Sequence, residues 1–428
     1  MADSADFVIV GGGIGGLVLA RRLVLGGARV IVLEASGSLG GTVARQRIGG
    51  IDVDAGAESF ATRGGTVAAL GKSLRLGDDV VEPNPAGAWL QTATGSAFPL
   101  PENSLLGIPG SPLAKDVVAI IGGRAGTRAF FETLIPSFYG AKAKTLGELV
   151  RKRMGRNVLD QLVRPIARGV HSADADELIL DQAVPGLRQA IVREGSLGRA
   201  VLALRETSAR AGSAVAGIRG GVFRLVDVLQ SDLARFGVDV RVDSAGSDLR
   251  PDRVSAGGVS ITGTVVAAAP GLLGGAVDRG TRVTLATMLV DQPLLDSAPR
   301  GTGVLVAEGA RGIRARALTH STAKWAWLAE AAGGRHILRL SYDDAVDDLA
   351  DVARQDAALL LGVPISAAAV EDFARAEWYR PRRYTPTPDD IPLVGESIAG
   401  TGLASVVAQS EALAGTLLRD AEGLPGLR

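Results

Sequence analysis

Gly11, Gly13 and Gly16 stand at G-x-G-x-x-G spacing directly behind a short apolar run, residues 7–10 (FVIV). That run reads as a strand buried on both faces, and residues 17–25 read as a helix closed by Gly26 and Gly27. Between a strand and a helix each glycine has a mechanical task. Gly11 permits the tight turn, Gly13 lets backbone approach a pyrophosphate, and Gly16 lets the helix sit close on the sheet. Ile14 and Gly15 complete the loop, and the helix N-terminus turns free N–H groups and a positive dipole end toward phosphate oxygens. A second strand, residues 28–35, ends in Glu34 and Ala35. Glu34 lies 21 residues after Gly13, where a carboxylate receives ribose hydroxyls and repels a 2′-phosphate. Strand, loop, helix, strand and acid in that order predict a dinucleotide site and disfavour NADP.

Composition narrows the remaining chemistry. There is no cysteine, which excludes disulfides, thiolate zinc sites and redox-active thiol pairs. The three histidines, His171, His320 and His336, are too scattered in sequence to suggest a metal cluster, so no metal is expected. A formal net charge of zero offers nothing to draw the chain to nucleic acid. The acidic start, MADSAD, has no basic n-region, and no stretch reaches about 18 uninterrupted apolar residues. No integral membrane segment is expected, and the reading is a cytoplasmic protein. Lysine is scarce, six residues against 40 arginines. Arginine is the better fork for carboxylates and phosphates, although genomic composition produces the same bias.

The choice between NAD and FAD rests on the residues beyond the acid. Gly40, Gly41 and Thr42 come just past Glu34, then an alternating strand and a small-residue turn at Gly56, Ala57, Glu58 and Ser59. This is more than a bare NAD site requires, and it suits a longer cofactor whose second half runs on past the pyrophosphate. No second G-x-G-x-x-G occurs, so electrons from NAD(P)H have no loop of their own. One loop and one cofactor point to an oxidase or an acceptor-linked dehydrogenase using FAD. Late in the chain, residues 391–394 read as a strand leading into Gly395, Gly400, Thr401, Gly402 and Leu403. The last of these opens a helix, again an anion or dipole site.

These residues need a scaffold, and the 428-residue length allows about two or three domains. The expected fold class is α/β. It comprises a Rossmann-like FAD-binding domain in three discontinuous pieces, a mixed-sheet substrate domain in two, and a helical subdomain. The FAD pieces are residues 1–75, 206–277 and 386–428; the substrate pieces are 76–112 and 278–385. Residues 113–205 read as helical, with Leu146, Leu149, Val150, Val158, Leu159, Leu162 and Val163 near 3.6-residue spacing. A core-facing stripe accounts for these without any ligand. Residues 219–237 read as an amphipathic helix between glycines.

The segments VIVGGGIGGLVLARRL, VIVLEASGSLGG and VDAGAESF resemble the FAD-containing amine oxidase, phytoene desaturase and protoporphyrinogen oxidase superfamily. Members usually carry an arginine two positions before the glycine pair, where this chain has Ser38; Arg45 and Arg47 are the candidates to replace it. Two blocks select a branch. Residues 85–110 resemble W-x-x-G-x-x-x-P-L-P-x-x-x-L-x-G-I-P of protoporphyrinogen and coproporphyrinogen oxidases. Residues 162–180 match that family at Pro165, Arg168, Gly169, Val170, Glu177 and Leu178. The resemblance is closest to soluble bacterial coproporphyrinogen III oxidases. His171 and Ser172 depart from the residues usual after Gly-Val, and the connection from Trp378 to Ile391 is short.

The resemblance implies a six-electron oxidation of a porphyrinogen to a porphyrin in heme biosynthesis, with O2 reoxidising the flavin. FAD carries the hard chemistry, so no catalytic base is nominated. Arg164, Arg168, Gly169 and His171 are the expected substrate contacts; Arg164 and Arg168, four apart, share a helix face. Partners would be the porphyrinogen, O2 and, transiently, other heme-pathway enzymes. Two readings stay open beside this one. One is an FAD-dependent amine oxidase, against which stands the lack of an aromatic residue in the terminal 395–410 segment. The other is a non-catalytic FAD-binding protein.

Overall fold

A computed structural model describes residues 3–62, 64–171, 173–209, 215–272, 280–381, 384 and 391–422. The chain divides into two units. One contains residues 1–82, 215–283 and 376–428, and the other residues 83–214 and 284–375. The fold is mixed α/β, as expected.

The first unit is built on a six-stranded sheet. Its centre is the strand Asp3–Val10, with Val30–Leu33 parallel on one side and Val259–Ala267 parallel on the other. Asp239–Arg241 extends the sheet beyond Val30–Leu33, and the hairpin strands Arg253–Ala256 and Gly246–Arg250 close the opposite edge. Val8, Ile9, Val10 and Val30 to Leu33 are buried, as near-continuous apolar runs are when helices cover both faces of a parallel sheet. The helix Ile14–Leu25 packs beside Arg224–Arg235 and the C-terminal helix Leu403–Glu422. Leu17, Leu19 and Leu23 meet Leu225, Leu229 and Val407 in one apolar cluster. Residues 391–394 do not form the expected strand. A single parallel bridge, Ala267 to Leu393, continues the pairing, flanked by Ala267 N–H to the Pro392 carbonyl and Val394 N–H to the Ala267 carbonyl, each 2.9 Å. Pro392 has no N–H to give a ladder.

The second unit has two cores. A seven-stranded sheet, most of it in this unit, runs in the order Val370–Arg380, Thr281–Val290, His336–Tyr342, Ala317–His320, Gly303–Val306, Trp89–Gln91, Ala97–Pro99. The helix Leu349–Leu361 covers one face through Leu349, Ala353, Ala357 and Leu360. Residues 115–209 supply the helices of the other core. All seven residues of the stripe from Leu146 to Val163 are buried there, so packing alone explains their spacing. Residues 159–163 form one wide π-type turn directly before the helix Arg164–His171. Pro165 explains it: the ring lacks an N–H and crowds the carbonyl four residues back, and a widened turn relieves the clash.

Candidate functional site: the glycine loops and an arginine-bearing sheet face

The three glycines of the first loop differ in surroundings as their tasks require. Gly11 sits at φ +123°, and a Cβ there would meet the Ala268 carbonyl carbon at 2.7 Å. A Cβ on Gly16 would lie 2.2 Å from the Gly11 carbonyl oxygen and 3.3 Å from Ile9, so only glycine allows the helix this close to the strand. Gly13, at the helix N-cap with φ −68° and ψ 169°, has nothing within 4 Å on its Cβ side. Its conformation does not demand glycine. The open space beside it is a cradle for an approaching group.

The second glycine pair folds back over this loop. Gly40 N–H donates to the Gly12 carbonyl at 2.8 Å, and Gly13 and Gly40 form a parallel bridge. Gly41 stands at φ +61°, with its Cβ position 3.5 Å from the Gly13 Cα. Farther along, a Cβ on Gly56 would strike the Thr42 carbonyl at 1.8 Å, so the turn at residues 56–59 lies against the loop at 40–42. From the C-terminus, the Gly395 Cα comes 3.6 Å from the Cβ position of Gly15. Gly395 and Gly402, at φ +116° and +115°, are both open on that side. Gly400 has φ +82°, and Leu403 begins the 20-residue terminal helix. The segments singled out from sequence therefore meet in one place.

Glu34 does double duty. Its Oε2 accepts from Gly12 N–H at 2.7 Å, and its Oε1 accepts from the Ser36 N–H and hydroxyl at 2.8 and 2.7 Å. The half-buried carboxylate thus staples the glycine loop to its own strand end, with lone pairs left over for hydroxyl donors. Neither arginine considered as a stand-in at position 38 is turned to that task. Arg45 pairs with Asp52 at 3.0 Å and Asp227 at 2.6 Å and lies over the Phe223 ring, while Arg47 pairs with Asp52. Asp54, which sequence reading passed over, is a buried carboxylate accepting from Val222 and Phe223 N–H at 3.0 and 2.9 Å. It anchors the start of Arg224–Arg235. Near Gly395, burial pushes the Glu396 carboxyl up, opposed by Arg380, whose Nε is 3.8 Å away.

The substrate candidates fall in the second unit, and they separate. Arg164 is held by Asp160, by Asp174 at 3.2 Å and by Asp176 at 2.6 Å. Burial works against its charge, but the aspartates outweigh burial and hold the guanidinium more firmly protonated. A group ringed by three carboxylates is a poor receptor for a fourth. Gly169 also has a packing reason: its Cβ would lie 2.2 Å from the Leu305 Cδ2, where the helix crosses Gly303–Val306. Among the described residues Arg168 pairs at 3.2 Å with Glu308, a residue 71 % exposed. The His171 side chain and Ser172 lie outside the described residues, as does most of the connection at 382–390.

Strand register identifies the face on which Arg168 sits. Leu305, Ala317, Ser341 and Leu285 form one cross-strand row, and Thr319, Arg339 and Thr287 form the next on the same face. Arg316 donates from Nε to the Ser341 hydroxyl at 3.2 Å and pairs with Asp343 at 2.5 Å. Burial lowers the Arg316 pKa; Asp343 opposes that shift, and Arg168 adds to it through charge. Three guanidinium groups therefore belong to one sheet face, and sequence reading identified only one of them.

A family model described as flavin containing amine oxidoreductase matches residues 14–271. The chain belongs to that family. Its cofactor is FAD, and the open cradle at Gly13, the overlying Gly41 and the Glu34 carboxylate fit a dinucleotide's pyrophosphate and ribose. This flavin oxidoreductase is 27 % identical over 445 residues to the coproporphyrinogen III oxidase of Mycobacterium leprae, covering 95 % of the chain and 94 % of that protein. It is 27 % identical over 285 residues to the coproporphyrinogen III oxidase of Propionibacterium freudenreichii, spanning only 54 % of that protein's length. Its fold matches a solved Exiguobacterium sp. 255-15 structure, provisionally named a protoporphyrinogen oxidase. There the TM-score is 0.81 at 22 % identity, over 98 % and 99 % of the two chains. Among the described residues no helix is long and apolar enough to cross a membrane, and no group of His, Asp and Glu could hold a metal ion.

Proposed function

We propose that this flavin oxidoreductase is an oxidase that converts a porphyrinogen, coproporphyrinogen III first, to the porphyrin with O2 as acceptor, in heme biosynthesis. The observation that carries the reading is the nearly end-to-end match to the Mycobacterium leprae coproporphyrinogen III oxidase. The first unit is the FAD domain in this reading, and bound FAD supplies the two-electron sink. Gly13, Gly40 and Gly41 receive the pyrophosphate, Glu34 the ribose hydroxyls, and residues 56–59 and 400–403 the rest of the cofactor. The second unit holds the substrate. Arg168, Arg316 and Arg339 share a face with Thr287, Thr319, Ser341, Leu285, Leu305 and Ala317; Glu308 and Asp343 each hold one of the first two arginines, and a face with more guanidinium groups than acids suits an apolar macrocycle with several carboxylates. No side chain is required as a base, because pyrrole protons leave through water.

The purified protein is expected to be yellow, and in air it should convert coproporphyrinogen III to a fluorescent porphyrin well above the autoxidation control. Protoporphyrinogen IX, with two carboxylates instead of four, should turn over with a higher KM. Yellow protein that forms no porphyrin but is bleached by an amine would replace this reading with an amine oxidase. Protein that binds FAD and is reduced by neither would be non-catalytic.

A further inference from the structure

We infer that Asp356, on the helix-covered side of the large sheet, is a positioning residue that sets Arg316 on the opposite face, beside Arg168. Asp356 belongs to the helix Leu349–Leu361 and is 2 % exposed. Its carboxylate accepts from the Arg314 N–H at 3.2 Å, the Ala315 N–H at 2.8 Å and the Tyr342 hydroxyl at 3.1 Å. The donors are two backbone N–H groups and a phenol rather than a cation. Burial pushes the Asp356 carboxyl pKa up, and these bonds oppose that shift. The acid interrupts a buried stripe otherwise formed by Leu349, Ala353, Ala357, Leu360 and Leu361. Burying a carboxylate there is costly, and an apolar residue would serve a helix that only had to cover the sheet. Asp356 is spent instead on the two residues, Arg314 and Ala315, that lead toward the strand Ala317–His320.

Strand register shows what this clamp controls. Ala317 is the partner of Ser341, and the Arg316 N–H also donates to the Ser341 carbonyl at 2.9 Å. Two residues therefore oppose one, which makes a bulge, and a bulge re-aims a side chain. Strict alternation would put Arg316 on the face opposite Ala317, toward the helix. The bulge instead lets its Nε donate to the Ser341 hydroxyl at 3.2 Å, and the guanidinium pairs with Asp343 and feels the charge of Arg168. Tyr342, next to Ser341, lies in the apolar cluster on the helix side and completes the clamp from there. A carboxylate on one side of the sheet thus fixes the backbone from which Arg316 projects on the other. On the reading of that face as the substrate surface, on which this consequence rests, a substrate carboxylate meets a guanidinium already held in place. Little side-chain entropy is then left to lose on binding.

Labelling of the FAD-loaded protein with phenylglyoxal, read arginine by arginine in peptide mass spectra, tests the positioning without any substrate. The Arg316 side chain is 10 % exposed. D356A should raise its labelling rate about tenfold by releasing the bulge locally. Arg153, fully buried elsewhere in the second unit, should stay unlabelled, which separates this release from general loosening. D356N keeps one acceptor oxygen for two N–H groups and should raise Arg316 labelling about threefold. Y342F takes a bond from the same carboxylate but leaves both N–H bonds, and Arg316 should label as in wild type. With coproporphyrinogen III, D356A and R316A should each raise the KM about tenfold with a smaller change in kcat. The double variant D356A/R316A should be no worse than R316A, because both changes act through one guanidinium. Arg316 labelling in D356N equal to wild type overturns the inference, whether or not D356A folds. So does a double variant in which the two KM effects add. The expected labelling together with a KM indifferent to R316A would uphold the setting of Arg316 by Asp356 and refute the placing of substrate on this face.

Discussion

Arg164 and Arg168 are four residues apart on one helix and identical in chemistry, yet the structure gives them opposite uses. Arg164 bonds Asp160 one turn back and reaches Asp174 and Asp176 beyond the helix end. Removing it leaves Asp174 without its arginine, while Asp160 keeps Arg156 and Asp176 keeps Arg151. R164A should therefore lose about 1 kcal/mol of stability through the loss of the shared guanidinium, seen as a lower denaturation midpoint, with the KM for coproporphyrinogen unchanged. Arg168 has one weak, exposed partner. R168A should keep its stability and raise the KM about tenfold, the worth of one charge-assisted hydrogen bond, with a smaller change in kcat. Equal kinetic effects of the two variants would refute the division. Sequence spacing placed both residues on one face. It could not separate them, because two of the three aspartates that occupy Arg164 are reached through a non-helical connection whose path no local pattern reveals.

At the scale of the element, the strand–loop–helix unit was the most legible part of the chain. The mechanical demands on Gly11 and Gly16 are local and show as a positive φ and a 2.2 Å approach. The demand on Gly13 is different in kind, since nothing in the folded chain requires glycine there. This gives a clean pair of variants. G16A must drive a methyl group into the Gly11 carbonyl and should cost about 3 kcal/mol in the FAD-free protein, as overpacking does. G13A should leave the FAD-free melting temperature nearly unchanged while weakening FAD binding by about tenfold or more, measured by titrating flavin fluorescence. Equal FAD affinity in G13A and wild type would mean the cofactor does not approach that Cα. Other elements were harder to read. The expected strand at 391–394 dwindled to one bridge, at Leu393 beside Pro392. Asp54 could not be recognised as the anchor of a helix starting at Arg224, 170 residues later, because only the tertiary fold brings them together.

Across the whole molecule, strand register joins residues that look unrelated in sequence, and the histidines show it best. His320 and His336 end up on neighbouring strands, with His320 Nε2 3.1 Å from His336 Nδ1, and His336 Nε2 3.0 Å from Asp296. The exposed carboxylate favours a proton on His336 Nε2, so His336 Nδ1 accepts and His320 Nε2 donates. The proton order thus runs from the surface to a side chain that is 1 % exposed. Burial, with the neighbouring His336 ring adding to it, lowers the His320 pKa from 6.5 to about 4. The folded state therefore holds His320 neutral where the unfolded chain would protonate it. Between these two values the unfolded state binds more protons, so stability is fully present above about pH 6.5 and is lost as pH falls toward 4. A shift of this size corresponds to roughly 3 kcal/mol. H320Q keeps a donor toward His336 and removes the titration. Urea unfolding followed by tryptophan fluorescence suits the measurement, because Trp89, Trp325 and Trp327 all lie in the second unit, which also contains His320. With FAD saturating throughout, the stability gap between wild type and H320Q should shrink by roughly 2–3 kcal/mol on going from pH 7 to pH 4.5, as the wild type alone loses the histidine contribution. A gap that stays constant over that range would mean His320 is protonated in the folded protein, with the buried pair carrying a charge.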